Sequence, residues 1–388
     1  MFGVVKPIAK SRSRLFLALG SVLIAVLVAG LPSAAAAVWS AQLVPKPPGA
    51  KALDLSDVSC TSLTNCMAVG AYSTSGGDRP LVESWNGLRW SIRPVPGPPS
   101  SGSQSGTDLN GVSCATPTAC LAVGTYLASR DDSIHPLTER WNGLTWSIQS
   151  INTFGGLIGV SCPSTSSCMA VGNLAMQWNG RTWSTERVKS APLFSPTLAG
   201  ISCWSATACI AVGSQLSDDG ANGSIVNRWN GSEWSLQSAS QEEDALFDVT
   251  CTSGSWCMAV GSSNVDQRPL AERWNGSRWS REFGVTRTDP TRWYEFTGVS
   301  CTSPSACTAV GDMSPLLEGS ALPLAESWNG TGWSLEPVSK PAGAKAMALG
   351  RVSCLSPTAC VATGAYADRT GHFQPIVEST ILPTGGRG

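Results

Sequence analysis

The chain has 388 residues, enough for two ordinary domains or for one large all-β domain. Charged residues make up 14% of it while glycine, proline and tryptophan are abundant, a composition that favours many short strands and turns over long helices. Four of its 26 Lys and Arg residues, and none of its 27 Asp and Glu residues, lie in the first 37 positions, so the remainder has a net charge of −5. That remainder has no basic block, which argues against nucleic-acid binding.

The first 37 residues have the pattern of a secretory signal peptide. A basic stretch precedes an apolar run of 16 residues, 15–30, and the small residues Ala35, Ala36 and Ala37 follow it, as signal peptidase requires. The alternative is an uncleaved membrane anchor, although the run is shorter than the roughly 20 residues that span a bilayer. We therefore expect a secreted, extracellular protein that has no membrane segment after cleavage of residues 1–37.

One motif then recurs seven times: a small residue, Val-Ser-Cys, five residues, Cys-x-Ala-Val-Gly, a variable gap and Pro-Leu-x-Glu-x-Trp-Asn-Gly-x-x-Trp-Ser. Successive copies begin 41 to 54 residues apart, a period that suits one four-stranded blade of a β-propeller. The first copy predicts strands over 55–60, 66–72, 81–85 and 88–92. Asn86-Gly87 predicts a two-residue hairpin turn, since both of its residues must tolerate positive φ. Such a turn pairs Trp85 with Leu88 and Glu83 with Trp90.

All 14 cysteines belong to these copies, and the two cysteines of each copy are always six positions apart. In an exported protein this pattern predicts a disulfide framework, with one disulfide inside each blade. A metal site is disfavoured because the chain has only two histidines and its cysteine pairs are spread one to a blade. The predicted pairs are Cys60–Cys66, Cys114–Cys120, Cys162–Cys168, Cys203–Cys209, Cys251–Cys257, Cys301–Cys307 and Cys354–Cys360.

The seventh copy stops before its Asn-Gly hairpin, and the missing fourth strand lies at the other end of the mature chain. Val38-Trp39-Ser40 resembles the Arg89-Trp90-Ser91 of a fourth strand. We expect it to complete the last blade, which closes the ring and removes the edges of an open array. The sequence thus predicts an all-β fold, a seven-bladed β-propeller with four-stranded blades over 38–382, followed by a disordered tail over 383–388.

The Trp-Asn-Gly-x-x-Trp hairpin and the Val-Gly that ends the second strand resemble those of bacterial secreted propellers of the kelch and Asp-box (BNR-like) kind. The resemblance covers about residues 38–380 and implies the propeller fold. It departs from the Asp-box because Trp85 stands where the box has aspartate, and the kelch double glycine is missing. It implies no particular activity, because propellers host many unrelated functions.

The titratable residues form no recognisable catalytic constellation, so we predict no catalytic residue, no metal ligand and no cofactor. A glutamate recurs two positions before the third-strand tryptophan in five blades, and Met176 and Asn227 replace it in blades 3 and 4. Five equivalent copies favour a hydrogen-bonding device between blades over a catalytic pair, which needs two carboxylates in different surroundings. His135 and His372 fall in loops between second and third strands, where we expect solvated side chains. The five glutamates are Glu83, Glu139, Glu272, Glu326 and Glu378.

The variable loops carry the candidate ligand site. The turns between strands one and two and between strands three and four repeat closely and form what we call the uniform face. The loops between strands two and three and the links between blades differ, and form the variable face. Function tends to lie on variable loops held by a rigid scaffold. The link 281–296 carries Arg287, Arg292, Trp293 and Tyr294, residue types common in binding hot spots. The alternative is that Trp293 and Phe296 fill a gap between blades 5 and 6.

Two functions from different classes fit these observations. The favoured one is a monomeric, non-catalytic binding module that recognises an extracellular protein or glycan through its variable face. The alternative is a secreted carbohydrate-active, glycosidase-like enzyme. Sialidase-like chemistry needs an arginine cluster and a Tyr–Glu pair at the central pocket, and only Tyr294-Glu295 offers such a pair within a long link. A purely structural role is a third interpretation.

Overall fold

The computed structural model describes residues 38–98, 106–128, 133–188, 196–216, 222–237, 244–263, 268–285, 289–316 and 319–381. Within these residues there are 28 strands and no helix, so no helix there is long and apolar enough to cross a membrane. The predicted signal peptide, the predicted C-terminal tail and Arg287 lie outside the described residues.

The strands form seven separate four-stranded antiparallel sheets, which confirms the predicted seven-bladed propeller. Blades 1 to 3 consist of β2 (Ala52–Ser62), β3 (Asn65–Thr74), β4 (Gly77–Trp85) and β5 (Trp90–Ile92); β6 (Thr107–Thr116), β7 (Ala119–Ala128), β8 (Ser133–Trp141) and β9 (Trp146–Ile148); and β10 (Leu157–Ser164), β11 (Ser167–Gly172), β12 (Ala175–Trp178) and β13 (Trp183–Glu186). Blades 4 and 5 consist of β14 (Thr197–Ser205), β15 (Ala208–Leu216), β16 (Asn222–Trp229) and β17 (Trp234–Gln237); and β18 (Asp244–Ser253), β19 (Trp256–Ser263), β20 (Pro269–Trp274) and β21 (Trp279–Phe283). Blades 6 and 7 consist of β22 (Arg292–Ser303), β23 (Ala306–Pro315), β24 (Leu322–Trp328) and β25 (Trp333–Leu335); and β26 (Ala346–Ser356), β27 (Ala359–Ala367), β28 (Phe373–Ser379) and β1 (Ser40–Gln42).

The first strands of neighbouring blades pack against one another all the way round, so they are the innermost strands and surround the central channel. The fourth strands are outermost. The hydrophobic cores lie between blades, because each combines the inner strands of one blade with residues of the next.

The N-terminal strand closes the ring as predicted. β1 pairs antiparallel with β28, with Ser40 opposite Ser379 and Gln42 opposite Val377. Trp39 is 5% exposed, lies in the core of blade 7, and its indole N–H donates to Glu336 Oε2 at 2.8 Å. The pairing of β1 with β28 therefore joins the two ends of the described chain, and Trp39 also fastens the N-terminal strand to the link between blades 6 and 7.

All seven predicted disulfides are present, each across the hairpin between the first two strands of a blade, and the described residues include no free cysteine. Disulfides are typical of proteins in an oxidising environment. The serine that precedes the first cysteine has a role that the sequence did not suggest. In six blades the N–H of that cysteine donates to the serine Oγ of the neighbouring blade at 2.9–3.1 Å, as Cys114 does to Ser59. The recurring Ser-Cys thus links blades around the channel.

The glycine that ends Cys-x-Ala-Val-Gly is required by a close backbone approach. In all seven blades a Cβ at this glycine would lie only 1.8–2.3 Å from a carbonyl oxygen of the first strand, as Gly70 would from Asp54. Any other residue would push these two strands apart. Glycine therefore recurs at this position in all seven blades because no larger side chain fits.

The Asn-Gly hairpin differs from the prediction. Trp85 pairs with Trp90 rather than with Leu88, so the connection has four residues and the fourth strand begins at Trp90. The Asn86 side-chain oxygen accepts hydrogen bonds from the N–H groups of Leu88 and Arg89, which stabilises the longer turn. Leu88 is consequently 59% exposed instead of facing the core.

The five recurring glutamates are buried between blades, with at most 1% of each exposed. In blade 6, Glu326 accepts a hydrogen bond from the N–H of Val285, which belongs to the link from blade 5. The carboxylate oxygens of Glu83, Glu139 and Glu378 have no hydrogen-bond partner among the described residues. Burial raises the pKa of Glu83 and Glu139 to about 8, and that of Glu378 to about 7, because the charged form is poorly solvated there.

Candidate functional site

The variable face carries the exposed aromatic side chains. Phe154, Phe283 and Phe373 are 67%, 44% and 66% exposed, and they are the only phenylalanines with strong exposure among the described residues. Phe154 lies in the link before β10, Phe283 ends β21 and Phe373 begins β28, so all three reach the same face. The large apolar side chains exposed in turns of the uniform face, such as Leu63 and Leu144, are leucines.

Two arginines surround one of these aromatic rings. The guanidinium carbons of Arg268 and Arg281 lie 5.7 and 5.6 Å from the centroid of the Phe283 ring, within the range of a cation–π interaction. Arg281 also forms an ion pair with the buried Asp244 at the start of β18. We call Arg268, Arg281 and Phe283 the blade 5–6 corner. It presents an exposed aromatic ring whose neighbours are already ordered.

Two of the predicted site residues hold the adjoining link in place. Arg292 donates through Nη1 to the carbonyl oxygens of Met313 and Ser320 at 3.0 and 3.1 Å, and its Nε lies 3.3 Å from Asp289 Oδ2. Tyr294 is 5% exposed, and its hydroxyl accepts the N–H of Asp289 at 2.9 Å. Their side chains therefore hold the link between β21 and β22 in place through these hydrogen bonds and this ion pair.

The neighbouring residues of the same strand divide between surface and core. Phe296 is fully buried and packs against Trp333 with ring centroids 5.4 Å apart, as the gap-filling interpretation expects. Trp293 is half-buried and hydrogen-bonds Glu295, whose pKa is raised by burial and by the nearby Asp312 carboxylate. Of the residues predicted in this segment, Trp293 is thus the one with apolar surface left for a ligand.

The prediction for His135 was wrong. It lies in β8, is 6% exposed, and its ring nitrogens are 3.1 Å from Ser133 Oγ and 3.0 Å from the Thr153 carbonyl oxygen. Its ring stacks on Tyr126 and contacts Phe154, because the link from blade 2 folds over the end of the strand. His135 therefore supports the exposed Phe154. His372 is exposed in the loop of blade 7, as expected.

The central channel contains a charged cluster that the sequence analysis missed. Arg351 of blade 7 reaches across the channel and donates to the carbonyl oxygens of Phe247, Thr297 and Ala199, and its Nη1 lies 3.6 Å from Asp248 Oδ2. Burial raises the pKa of Asp57, on the first strand of blade 1, to about 7, although Arg351 opposes that effect. The arginine thus ties together four blades.

The signal for this cluster was present in the repeat. The position two residues before Ser-Cys is glycine in four blades, but Asp57, Asp248 and Arg351 occupy it in the other three. Only the ring shows that these three positions share one level of the channel. Among the described residues, no group of three or more His, Cys, Asp or Glu side chains is placed to hold a metal ion.

Comparisons with known proteins agree on the fold. No protein-family model matches the chain, and no curated protein matches its sequence. YCF48 from Cyanidioschyzon merolae is 14% identical over 89% of this chain and 98% of its own, with a TM-score of 0.55. A structure of YCF48 bound to a D1 peptide is also 14% identical, over 88% of this chain and 94% of its own, at a TM-score of 0.55. An ulvan lyase of polysaccharide lyase family PL25, bound to a GlcA–Rha3S oligosaccharide, is 11% identical over 84% of this chain and 94% of its own, with a TM-score of 0.52. At these identities the chain shares the propeller fold with these proteins.

Proposed function

We propose that the chain is an exported, non-catalytic binding module that recognises an extracellular protein or glycan through its variable face. The observation that carries this is the placement of Phe154, Phe283 and Phe373 on that face. Exposed aromatic rings supply large contact areas at low cost in side-chain entropy, and binding hot spots are enriched in aromatic residues and arginine. The opposite face repeats the same short turns from blade to blade.

The blade 5–6 corner is the proposed centre of this surface. Its ring and its guanidinium groups are ordered before a ligand arrives, and a site ordered in advance loses less entropy on binding. Trp293, on the next blade's innermost strand, extends the apolar surface toward the channel mouth. A ligand that combines an apolar side with an anionic group fits this arrangement best, because the Arg268 guanidinium lies beside the exposed ring while the charge of Arg281 is compensated by Asp244.

Export is part of the proposal. Its support is the basic, apolar and small-residue pattern of residues 1–37 together with seven disulfides, which suit an oxidising compartment. N-terminal sequencing of protein recovered from the culture medium should give a start at or just before Val38. A start beyond Ser40 would contradict both the cleavage site and the closure of the ring by β1.

Binding is tested by screening the purified mature protein against a displayed peptide library and a glycan array. Ligands selected on wild-type protein should bind Phe283→Ala at least tenfold more weakly. The matched control is Leu144→Ala, which removes an 85% exposed side chain from the uniform face and should leave affinity unchanged. Ligands that lose affinity only with the control variant would place the binding site on the uniform face and contradict the proposal.

The choice between a protein and a glycan is decided by the same screen. Two of the similar structures hold a peptide and an oligosaccharide respectively, but a likeness of 11–14% identity speaks only for the fold. A glycosidase-like activity would appear instead as turnover of array glycans, which overturns the non-catalytic part of the proposal.

A further inference from the structure

A groove of about 440 Å³ opens between blades 2 and 3, away from the blade 5–6 corner. One side is the link 149–153, and the other consists of the two outer strands of blade 3 and the turn that joins them. Its volume falls within the roughly 300–1,000 Å³ of small-molecule sites. The groove is therefore large enough to enclose most of a small ligand.

Trp183 forms the floor of the groove, and the equivalent tryptophan is buried in each of the six other blades. Each blade has one tryptophan at the start of its fourth strand, and six of the seven are at most 8% exposed. Trp183 of blade 3 is the exception, since it is half-buried and lines the groove. Ile151 is partly exposed beside it, and the buried Met176 and Trp178 are the other apolar residues of the lining. Of the seven equivalent tryptophans, only Trp183 is thus accessible to a ligand.

Two features of the sequence accompany this opening. In blades 1 and 7 the indole N–H donates to Gln42 or Glu336 at 2.8 Å. In blades 2, 4, 5 and 6 that N–H has no partner among the described residues, although the tryptophan is buried there too. Gln149 is three residues after its tryptophan, as those two acceptors are, but its amide donates back to Ser147. In addition, Met176 occupies the slot of the recurring glutamate, so no carboxyl group lies there.

The polar side chains around the groove favour a sugar over a peptide or an apolar ligand. Gln149, Asn152 and Thr185 can donate and accept hydrogen bonds, which suits a ligand covered with hydroxyl groups. The face of an indole provides a flat apolar surface on which the C–H face of a sugar ring can pack. Arg181 is the one charged residue of the lining, and no carboxylate accompanies it. An arginine so placed pairs with a carboxylate of the ligand.

We propose that this groove binds a mono- or disaccharide that contains a uronic acid, with the sugar ring on Trp183 and its carboxylate on Arg181. The groove uses the link 149–153, which belongs to the variable face, but it lies apart from the blade 5–6 corner at which the proposed function is tested, so the two proposals can fail separately. Phe283→Ala, which tests the proposed function, should leave binding in the groove unchanged.

Isothermal titration calorimetry of the mature protein with a glucuronic-acid-containing disaccharide, and with maltose as the neutral counterpart, tests the proposal. The uronate should bind saturably and at least tenfold more tightly than maltose, and Arg181→Ala should remove that preference. Arg278→Ala, an exposed arginine in the corresponding turn of blade 5, should change nothing. No saturable uronate binding, or a preference that survives Arg181→Ala, would overturn the proposal.

A second variant keeps the test independent of folding. Trp183→Ala removes the floor but also disturbs the core of blade 3. Thr185→Trp instead fills the groove from an exposed position, so it should abolish uronate binding while the melting temperature stays within a few degrees of wild type. Uronate binding that persists in a folded Thr185→Trp protein would place the sugar elsewhere and refute the assignment.

Discussion

The buried glutamates should make the protein less stable as the pH rises. Glu83 is fully buried, and burial raises its pKa from 4.5 to about 8. The folded protein therefore keeps a proton that the unfolded chain releases between these two values. Over this window the free energy of unfolding falls by about 1.4 kcal/mol per pH unit for this group, and the loss reaches at most about 5 kcal/mol above pH 8.

Replacing Glu83 by glutamine tests this reasoning because the amide keeps the shape and does not titrate. At pH 5 the variant and the wild type should have similar free energies of unfolding in guanidinium chloride. At pH 9 the variant should be more stable by several kcal/mol, with about 5 kcal/mol as the upper limit, since water entering the interface would reduce the penalty. A Glu83→Gln protein that is destabilised equally at pH 5 and pH 9 would show that the carboxyl group is ionised and partnered.

Three further predictions concern the ring itself. Trp39→Ala should lower the free energy of unfolding, measured by denaturant titration, by about 3–5 kcal/mol because it leaves a cavity in the last blade. Val38→Ala, which changes a 75% exposed side chain, should leave that free energy unchanged. Peptide mapping without reduction should find seven disulfides within blades and no free thiol, and cross-blade pairs would contradict the fold. Replacing Cys60 and Cys66 by serine should cost about 2.4 kcal/mol through the loop-closure term, and the loss of the buried Cys66 sulfur adds to that cost. Arg351→Met should lower stability by up to about 3 kcal/mol, because it leaves a carboxylate in the channel unpaired; an unchanged thermal melt would show that this arginine does not hold the blades together.

The architecture could be predicted because its signals are local and repeated seven times. The Cys-x5-Cys spacing permits only a short hairpin, and the tryptophans at a fixed distance mark the outer strands of each blade. The incomplete seventh copy and the matching Val38-Trp39-Ser40 indicate closure without any knowledge of the structure. The glycine after Ala-Val was visible as a pattern, but its reason, the approach of the first-strand carbonyl, is a tertiary contact.

The remaining features depend on residues that meet only in the folded ring. The hairpin turn was mispredicted because the Asn86 side chain, rather than the Asn-Gly backbone preference, decides its length. His135 is buried by a link that returns from 18 positions along the chain. The channel cluster and the half-buried Trp183 are found where single blades depart from the repeat. Such departures can be seen in the sequence, but their consequences depend on which blades are neighbours.

Hydrogen–deuterium exchange tests whether ligands bind on the variable face. A ligand obtained from the peptide or glycan screen would be added at saturation, and exchange compared with the free protein segment by segment. We expect slower exchange in variable-face segments, above all 281–285 and 289–294 at the blade 5–6 corner, with unchanged exchange in the Cys-x5-Cys and Asn-Gly turns. Protection concentrated in those turns, with none at the corner, would contradict binding on the variable face.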